Sequence, residues 1–190
     1  MLEDIILVGF GGHAKSVADC IERQEKYRII GYTDIEDNKS SYTYLGKDAV
    51  LEEYYKKGIR NAAISIGYLG MGNVRKKIYL ILKGIGFKLP VIIDPSAVIS
   101  KTARIEEGSF IGKGAIVNAE SKIGKAAIIN TKALVEHECE VGDFAHVAVA
   151  AILCGQVRVG NFAFIGANAT VIQCRDIQEG QIVPAGIVVR

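Results

Sequence analysis

The 190-residue chain has no tryptophan, only three prolines and four cysteines. Cys20, Cys139, Cys154 and Cys174 form no CxxC or CxxH pair, so the spacing that would hold zinc is missing and no metal is expected. They read as reduced thiols of a cytoplasmic protein, with Cys139 acting as a small inward hydrophobe. No apolar run approaches the ~20 residues needed to cross a bilayer, so no membrane insertion is expected. The first residues lack the basic-then-apolar order of a secretory signal. Charge is nearly balanced, with 23 Lys and Arg against 21 Asp and Glu and no basic block. That balance argues against a nucleic-acid partner.

The chain does have a period of six. From Ile99 to Val189 an aliphatic residue recurs every sixth position without a gap: Ile99, Ile105, Ile111, Val117 and so on through Val183. A small residue follows most of them four positions later, as at Ala115, Ala127, Ala133 and Ala145, and glycine often follows directly, as at Gly112, Gly124 and Gly142. Such a repeat marks a parallel β-helix: large residues fill the interior, small ones line the corners, and glycine is expected to meet the corner's backbone demands. Three hexads make one triangular coil, and stability accumulates along the stack.

Residues 1–93 follow another rhythm and form a separate α/β domain ahead of the repeat at 94–190. Strands are expected at 5–8, 29–33 and 62–66, and helices at 14–24, 47–57 and 74–83, the last closed by Gly84 and Gly86. This alternation predicts a half-Rossmann sheet. Gly9, Gly11 and Ala14 fit GxGxxG/A, and Asp34 follows at the ribose-binding distance. With half the fold present, a mononucleotide suits it better than a dinucleotide. His13 and Lys15 lie at the helix start, where a diphosphate would compensate their charge.

Of the three histidines, His137 and His146 both precede or follow inward positions so as to point out of the prism. Carboxylates flank His137, and a carboxylate on one ring nitrogen leaves the other free to take a proton from an attacking hydroxyl or amine. A thioester acyl donor needs no covalent enzyme intermediate. In an eighteen-residue register, Ala119, His137, Gly155 and Gln173 share one corner. Lys125, Asp143, Asn161 and Glu179 share a second, and Thr131, Val149, Ala167 and Ala185 share the third. His146 falls on the face opposite His137, so the two histidines meet only between chains. Small Ala167 and Ala185 leave room for a long thin ligand. A homotrimer with three shared sites follows.

The stretches GFGGHAKSVAD, GYTD, ISIG, NVRKKI, DPSAVIS and NTKALVEHECEVGDFAHVA resemble the NeuD/PglD family of sugar O- and N-acetyltransferases over nearly the whole chain. The resemblance implies a left-handed β-helix and acetyl-CoA as cosubstrate. It implies His137 as general base with Glu138 as its partner, and His146 at the acetyl group or thioester. Ala167 and Ala185, with Gly155, would line the coenzyme. Gly11, Gly12, His13, Asp34 and Gly67, with Lys15, would hold a nucleotide sugar. Family members often have two consecutive acids where this chain has Asp34-Ile35, the loop Tyr68–Asn73 is enlarged, and a terminal Pro-Ala-Lys element is absent. The chemistry expected is transfer of acetyl to an amino or hydroxyl group of a UDP-linked sugar. Alternatives are a sialic acid O-acetyltransferase and a non-catalytic nucleotide- or NAD-binding module on a solenoid.

Overall fold

The computed structural model describes residues 2–70 and 72–190. The N-terminal domain is a parallel four-stranded sheet in the order β3-β2-β1-β4, comprising β1 (Glu3–Val8), β2 (Tyr27–Thr33), β3 (Tyr44–Gly46) and β4 (Asn61–Ile64). Ile5, Ile6, Leu7 and Val8 are fully buried, as suits a central strand covered on both faces. The connections are α1 (Gly12–Gln24), α2 (Leu51–Lys56) and α3 (Val74–Ile85). Helix α1 buries Ala14, Val17, Ala18, Cys20 and Ile21, a stripe at helical spacing.

Three sequence expectations change. The helix expected over 47–57 is a 3₁₀ turn at Asp48–Val50 followed by the six-residue α2. Gly84 lies inside α3, and Gly86 alone makes the left-handed cap, with φ of 111°. The edge strand β3 was not expected. It has only three residues, too few for any periodic signal.

From Ile92 onward the chain winds as a parallel solenoid. Ile92–Ile93 pairs with Phe110–Ile111 and so forms the first rung, two residues ahead of the expected start of the repeat at 94. Residues eighteen apart pair throughout, as in His146 with Ile128 and Phe164. Three outward faces result. One carries Ile92, Phe110, Ile128, His146, Phe164 and Ile182. A second carries Val98, Ile116, Leu134, Ile152, Thr170 and Val188. The third carries Arg104, Lys122, Glu140, Arg158 and Asp176. Inside, the hexad aliphatics and small residues form one continuous buried cluster. Ser109, Ser121 and Cys139 sit among them, each donating to a backbone oxygen: Gly124 O at 2.6 Å, Glu136 O at 2.6 Å and Cys154 O at 3.1 Å.

Gly108, Gly114, Gly180 and Gly186 take the left-handed corner as expected, but the other glycines of the repeat do a different job. Those that follow the aliphatic are needed for closeness. A Cβ on Gly142 would stand 2.6 Å from Asn161 N, and one on Gly124 would stand 2.7 Å from Asp143 N. The left-handed conformation falls two residues later. From Glu120 to Cys174 every sixth residue, ten in all, is a non-glycine with φ between 49° and 62°. Such residues are strained, by about 1–2 kcal/mol each. What holds them is the preceding coil: Glu138 N donates to Ala119 O at 2.8 Å, Gln156 N to His137 O at 3.0 Å and Phe162 N to Asp143 O at 2.9 Å.

Two of the strained residues dock the N-terminal domain. Phe144 and Phe162 stack at 5.1 Å, Tyr79 of α3 meets Phe144 edge-on, and Lys76 lies over Phe162. Further ties cross the junction. Arg23 and Cys20 of α1 both donate to the buried Asp94 carboxylate, and Lys113 pairs with Asp19. Arg75 is buried with carbonyls as its hydrogen-bond partners: Ile64 O, Ile66 O and Ala126 O of the solenoid. Burial brings its pKa down to about 10.

Two histidines lie beneath the domain. Burial first, then the positive field of Arg75, pushes the His13 pKa down to about 3. Burial does the same to His146, to about 4. Both are therefore neutral, whereas an unfolded histidine titrates near 6.5. Their contribution to stability is complete above pH ~6.5 and is lost as pH falls towards 4, because the unfolded chain then binds more protons.

Two outcomes follow for denaturation experiments. Gly142→Ala should destabilise the fold by about 3 kcal/mol through backbone overlap, while Lys132→Gly, at φ of 57°, should leave stability unchanged or raise it by up to about 1 kcal/mol. Between pH 7.5 and 5 the chain should lose a few kcal/mol, about 1–2 from each buried histidine, and His13→Phe should shrink that loss. An undiminished pH dependence in His13→Phe would contradict a neutral His13.

Candidate active site

His137 stands on the corner between the apolar and the charged faces. Ala119 O and Gln156 N bracket it through the stack, and Gly155 lies directly against its ring, since a Cβ there would come within 2.6 Å of Nε2. Glycine at 155 is thus what lets the imidazole lie flat along the corner. The ring is half-exposed, and Nδ1 lies 3.0 Å from Glu138 Oε2. A carboxylate only accepts, so Nδ1 carries the hydrogen and Nε2 is left bare towards solvent. Glu136 does not compete for the ring. Its Oε2 accepts from the His137 backbone N–H at 3.1 Å and from Asn118 Nδ2 at 3.0 Å.

His146 points out of the prism but not into solvent. It is 5 % exposed. The outward direction expected for the ring holds, but the ring is covered because the loop after β4 folds down over that face: Tyr68 OH donates to Phe162 O at 2.7 Å, and Gly70 packs against Phe164 and Ile182. Met71, within the enlarged loop 68–73, lies outside the described residues. His146 Nδ1 donates to Tyr68 O at 2.5 Å, which leaves Nε2 to accept from Asn130 Nδ2 at 3.0 Å. Asn130 in turn accepts the Thr131 N–H through Oδ1 at 2.8 Å. The chain from Tyr68 through His146 and Asn130 therefore ends at the third corner, where Ala167 and Ala185 are exposed. Asn130 was not singled out from the sequence. Its place beside His146 depends on the eighteen-residue offset and the asparagine rotamer together.

At the N-terminal domain, Gly9 holds φ of 88° and allows the strand to turn into α1. Gly11 caps the helix in an extended conformation, with no side chain bonded to the first-turn N–H groups and no acid in the first turn. Gly11 and Gly12 look onto open space. Lys15 is exposed beside them. Such a helix end attracts an anion. His13 is not the cation expected there. It turns inward, edge-on to Phe110 at 5.0 Å and against Gly67, with Nε2 shielded and unpartnered. Asp34 braces the turn as well as facing the site. It accepts from Phe10 N at 2.7 Å, Ile35 N at 2.6 Å and Asn38 Nδ2 at 3.0 Å.

The two buried thiols, Cys20 and Cys139, take no part. Burial, then Asp94, pushes Cys20 up to about 12, and burial pushes Cys139 up to about 11. Among the described residues no group of three or more His, Cys, Asp or Glu could hold a metal ion, and no helix is long and apolar enough to cross a membrane.

Comparison with known proteins places this geometry. The family profile of the PglD N-terminal domain matches residues 4–82. A search of curated proteins gives no match. Among solved structures, a GDP-perosamine N-acetyltransferase from Caulobacter crescentus, a histidine-to-alanine mutant bound to CoA and GDP-perosamine, is 33% identical. It aligns over 100% of this chain and 90% of its own, with a TM-score of 0.94. The acetyltransferase domain of PglB from Neisseria gonorrhoeae is 30% identical, over 99% and 91% of the two chains, with a TM-score of 0.91. A second structure of that domain, in complex with acetyl coenzyme A, is 28% identical with a TM-score of 0.90. The half-Rossmann sheet, the left-handed parallel β-helix and the identity to these proteins lead to one conclusion: the chain belongs to the NeuD/PglD family of hexapeptide-repeat, CoA-dependent sugar acetyltransferases.

Proposed function

We propose that this chain transfers the acetyl group of acetyl-CoA to an amino group of a nucleotide-linked sugar, with His137 as general base. The observation that carries the reading is the ring itself: Nδ1–H is engaged by Glu138 and Nε2 is free at an exposed corner. The amine nitrogen attacks the thioester carbonyl carbon, and Nε2 takes the proton that the nitrogen sheds. The C–S bond then breaks, and the imidazolium returns the proton to the departing sulfur. The open N-terminus of α1, with Gly11, Gly12 and Lys15, suits the diphosphate of the acceptor, and Asp34 and Gly67 flank the same edge.

One chain does not hold the whole site. The N-terminal domain covers the face opposite the corner of His137. Its anion-binding edge therefore sits away from the base. The remaining apolar face explains how the parts meet. Val98, Ile116 and Val188 are exposed on it, and it is bounded by the His137 corner on one side and the Ala167/Ala185 corner on the other. Three copies that bury this face about a threefold axis bring the first corner of each against the third corner of the next. The coenzyme arm then runs past Ala167 and Ala185, with the Asn130–His146 pair behind it, towards the neighbour's His137.

CoA release from acetyl-CoA, measured against GDP-perosamine, UDP-linked amino sugars and free sialic acids, tests the reading. Turnover should require a nucleotide-linked amino sugar and be inhibited by the matching nucleoside diphosphate. Turnover on sialic acid alone, indifferent to UDP and GDP, would contradict it. His137→Ala should lower kcat by about two to four orders of magnitude while sedimentation still reports a trimer. A monomer, or an active variant, would remove the assignment.

A further inference from the structure

The strained positions of the first corner stack as Glu120, Glu138, Gln156 and Cys174, eighteen residues apart. The side chains of the last three join into a line. Gln156 Nε2 donates to Glu138 Oε2 at 3.2 Å, the same oxygen that receives His137 Nδ1–H. Cys174 Sγ donates to Gln156 Oε1 at 3.2 Å. The carboxylate accepts only and the thiol donates to the amide oxygen, so both neighbours dictate the same amide orientation. The backbone locks the spacing, because Gln156 N is tied to His137 O at 3.0 Å and Cys174 N to Gly155 O at 3.1 Å.

We infer that Gln156 is a positioning residue for the proposed acetyl transfer: its amide holds the Glu138 carboxylate in the rotamer that keeps His137 in the Nδ1–H tautomer. Glu138 is half-exposed and projects from a left-handed corner with no intracoil partner other than the ring. A free glutamate there samples solvent-facing rotamers, and in them the imidazole loses both its orientation and its tautomer. Gln156 restricts that freedom from one coil above. Its side-chain bonds run to Glu138 and Cys174 and not to the His137 ring, so its effect is expected on the rate rather than on binding.

This inference rests on the reading of His137 as the base, and its test separates the two. Three variants are compared with wild type and with His137→Ala. Gln156→Leu keeps size and loses the donor, Gln156→Glu replaces the donor with a second carboxylate, and Gln156→Lys retains a donor. With the nucleotide sugar that turns over in the acceptor panel, kcat should fall roughly tenfold in Gln156→Leu and further in Gln156→Glu, with KM for both substrates unchanged. Gln156→Lys should remain within about threefold of wild type. Nitrogen-15 spectra of the His137 ring, which need no acceptor, should show the Nδ1–H tautomer depleted in the Leu and Glu variants and kept in the Lys variant. The inference is overturned if all three variants match wild type in rate and tautomer while His137→Ala is inactive. It is equally overturned if all three, Lys included, lose activity together with a lowered Tm, since that marks a structural residue. An active His137→Ala instead overturns the reading beneath it.

Discussion

The eighteen-residue register governs everything else in this molecule. Each coil leaves a residue in the left-handed conformation at each corner, and the N–H of that residue reaches back to the carbonyl of the preceding coil. Strain in one coil is thus relieved only by its neighbour, which makes the stack rigid and its register strict. The glycines beside the aliphatics set the coil spacing by excluding any Cβ from the approaching backbone. A rigid, exactly spaced lattice of outward positions is what chemistry needs from a scaffold. The corner at His137 uses it three times over: Gly155 to let the ring lie flat, Glu138 to fix its tautomer and Gln156 to fix Glu138.

The same register assigns one role to each face. The face carrying Phe110, His146 and Phe164 supports the N-terminal domain, and the contacts there are aromatic packing plus a buried arginine held by carbonyls. The face of Val98 and Ile116 is aliphatic and open. The face of Arg104, Lys122, Glu140, Arg158 and Asp176 is a charge ladder, with Lys122 bonded to Glu140 at 2.7 Å and Arg158 4.0 Å from Asp176. Such exposed pairs add little stability, and they keep this face wet. A prism with one covered, one apolar and one charged side has a single apolar surface left for another copy.

Much of this was legible in the amino-acid sequence, because a hexad period without a gap admits few three-dimensional solutions. The corner columns, the stacking of His137 on Gly155 and the buried Cys139 follow from counting in eighteens. The half-Rossmann sheet was legible from Ile5–Val8 and the glycine turn. What failed was anything set by contact between the two domains. The sequence places His13 as a cation at a helix start and His146 on an outward face, and it carries no sign that Phe110, Tyr68 and Arg75 close over both rings and keep them neutral beneath the domain. The purpose of Gly142 and its counterparts was misread because a missing Cβ serves φ and close approach alike, and only coordinates distinguish them. Gln156 and Asn130 carry no sequence signature, since their significance lies in a neighbour eighteen or sixteen positions away.

The central claim is that the base of one subunit works on a coenzyme and acceptor held by the next. Mixed trimers test it most directly. One subunit carries His137→Ala, and the other has its third corner blocked by Ala167→Trp, so each homotrimer is inactive. Random reassembly restores an intact pairing at about one interface in four, because the two defects lie on opposite sides of it. Activity rising to roughly a quarter of wild type on mixing is the expected result. Mixed trimers that form and remain inactive would contradict the account.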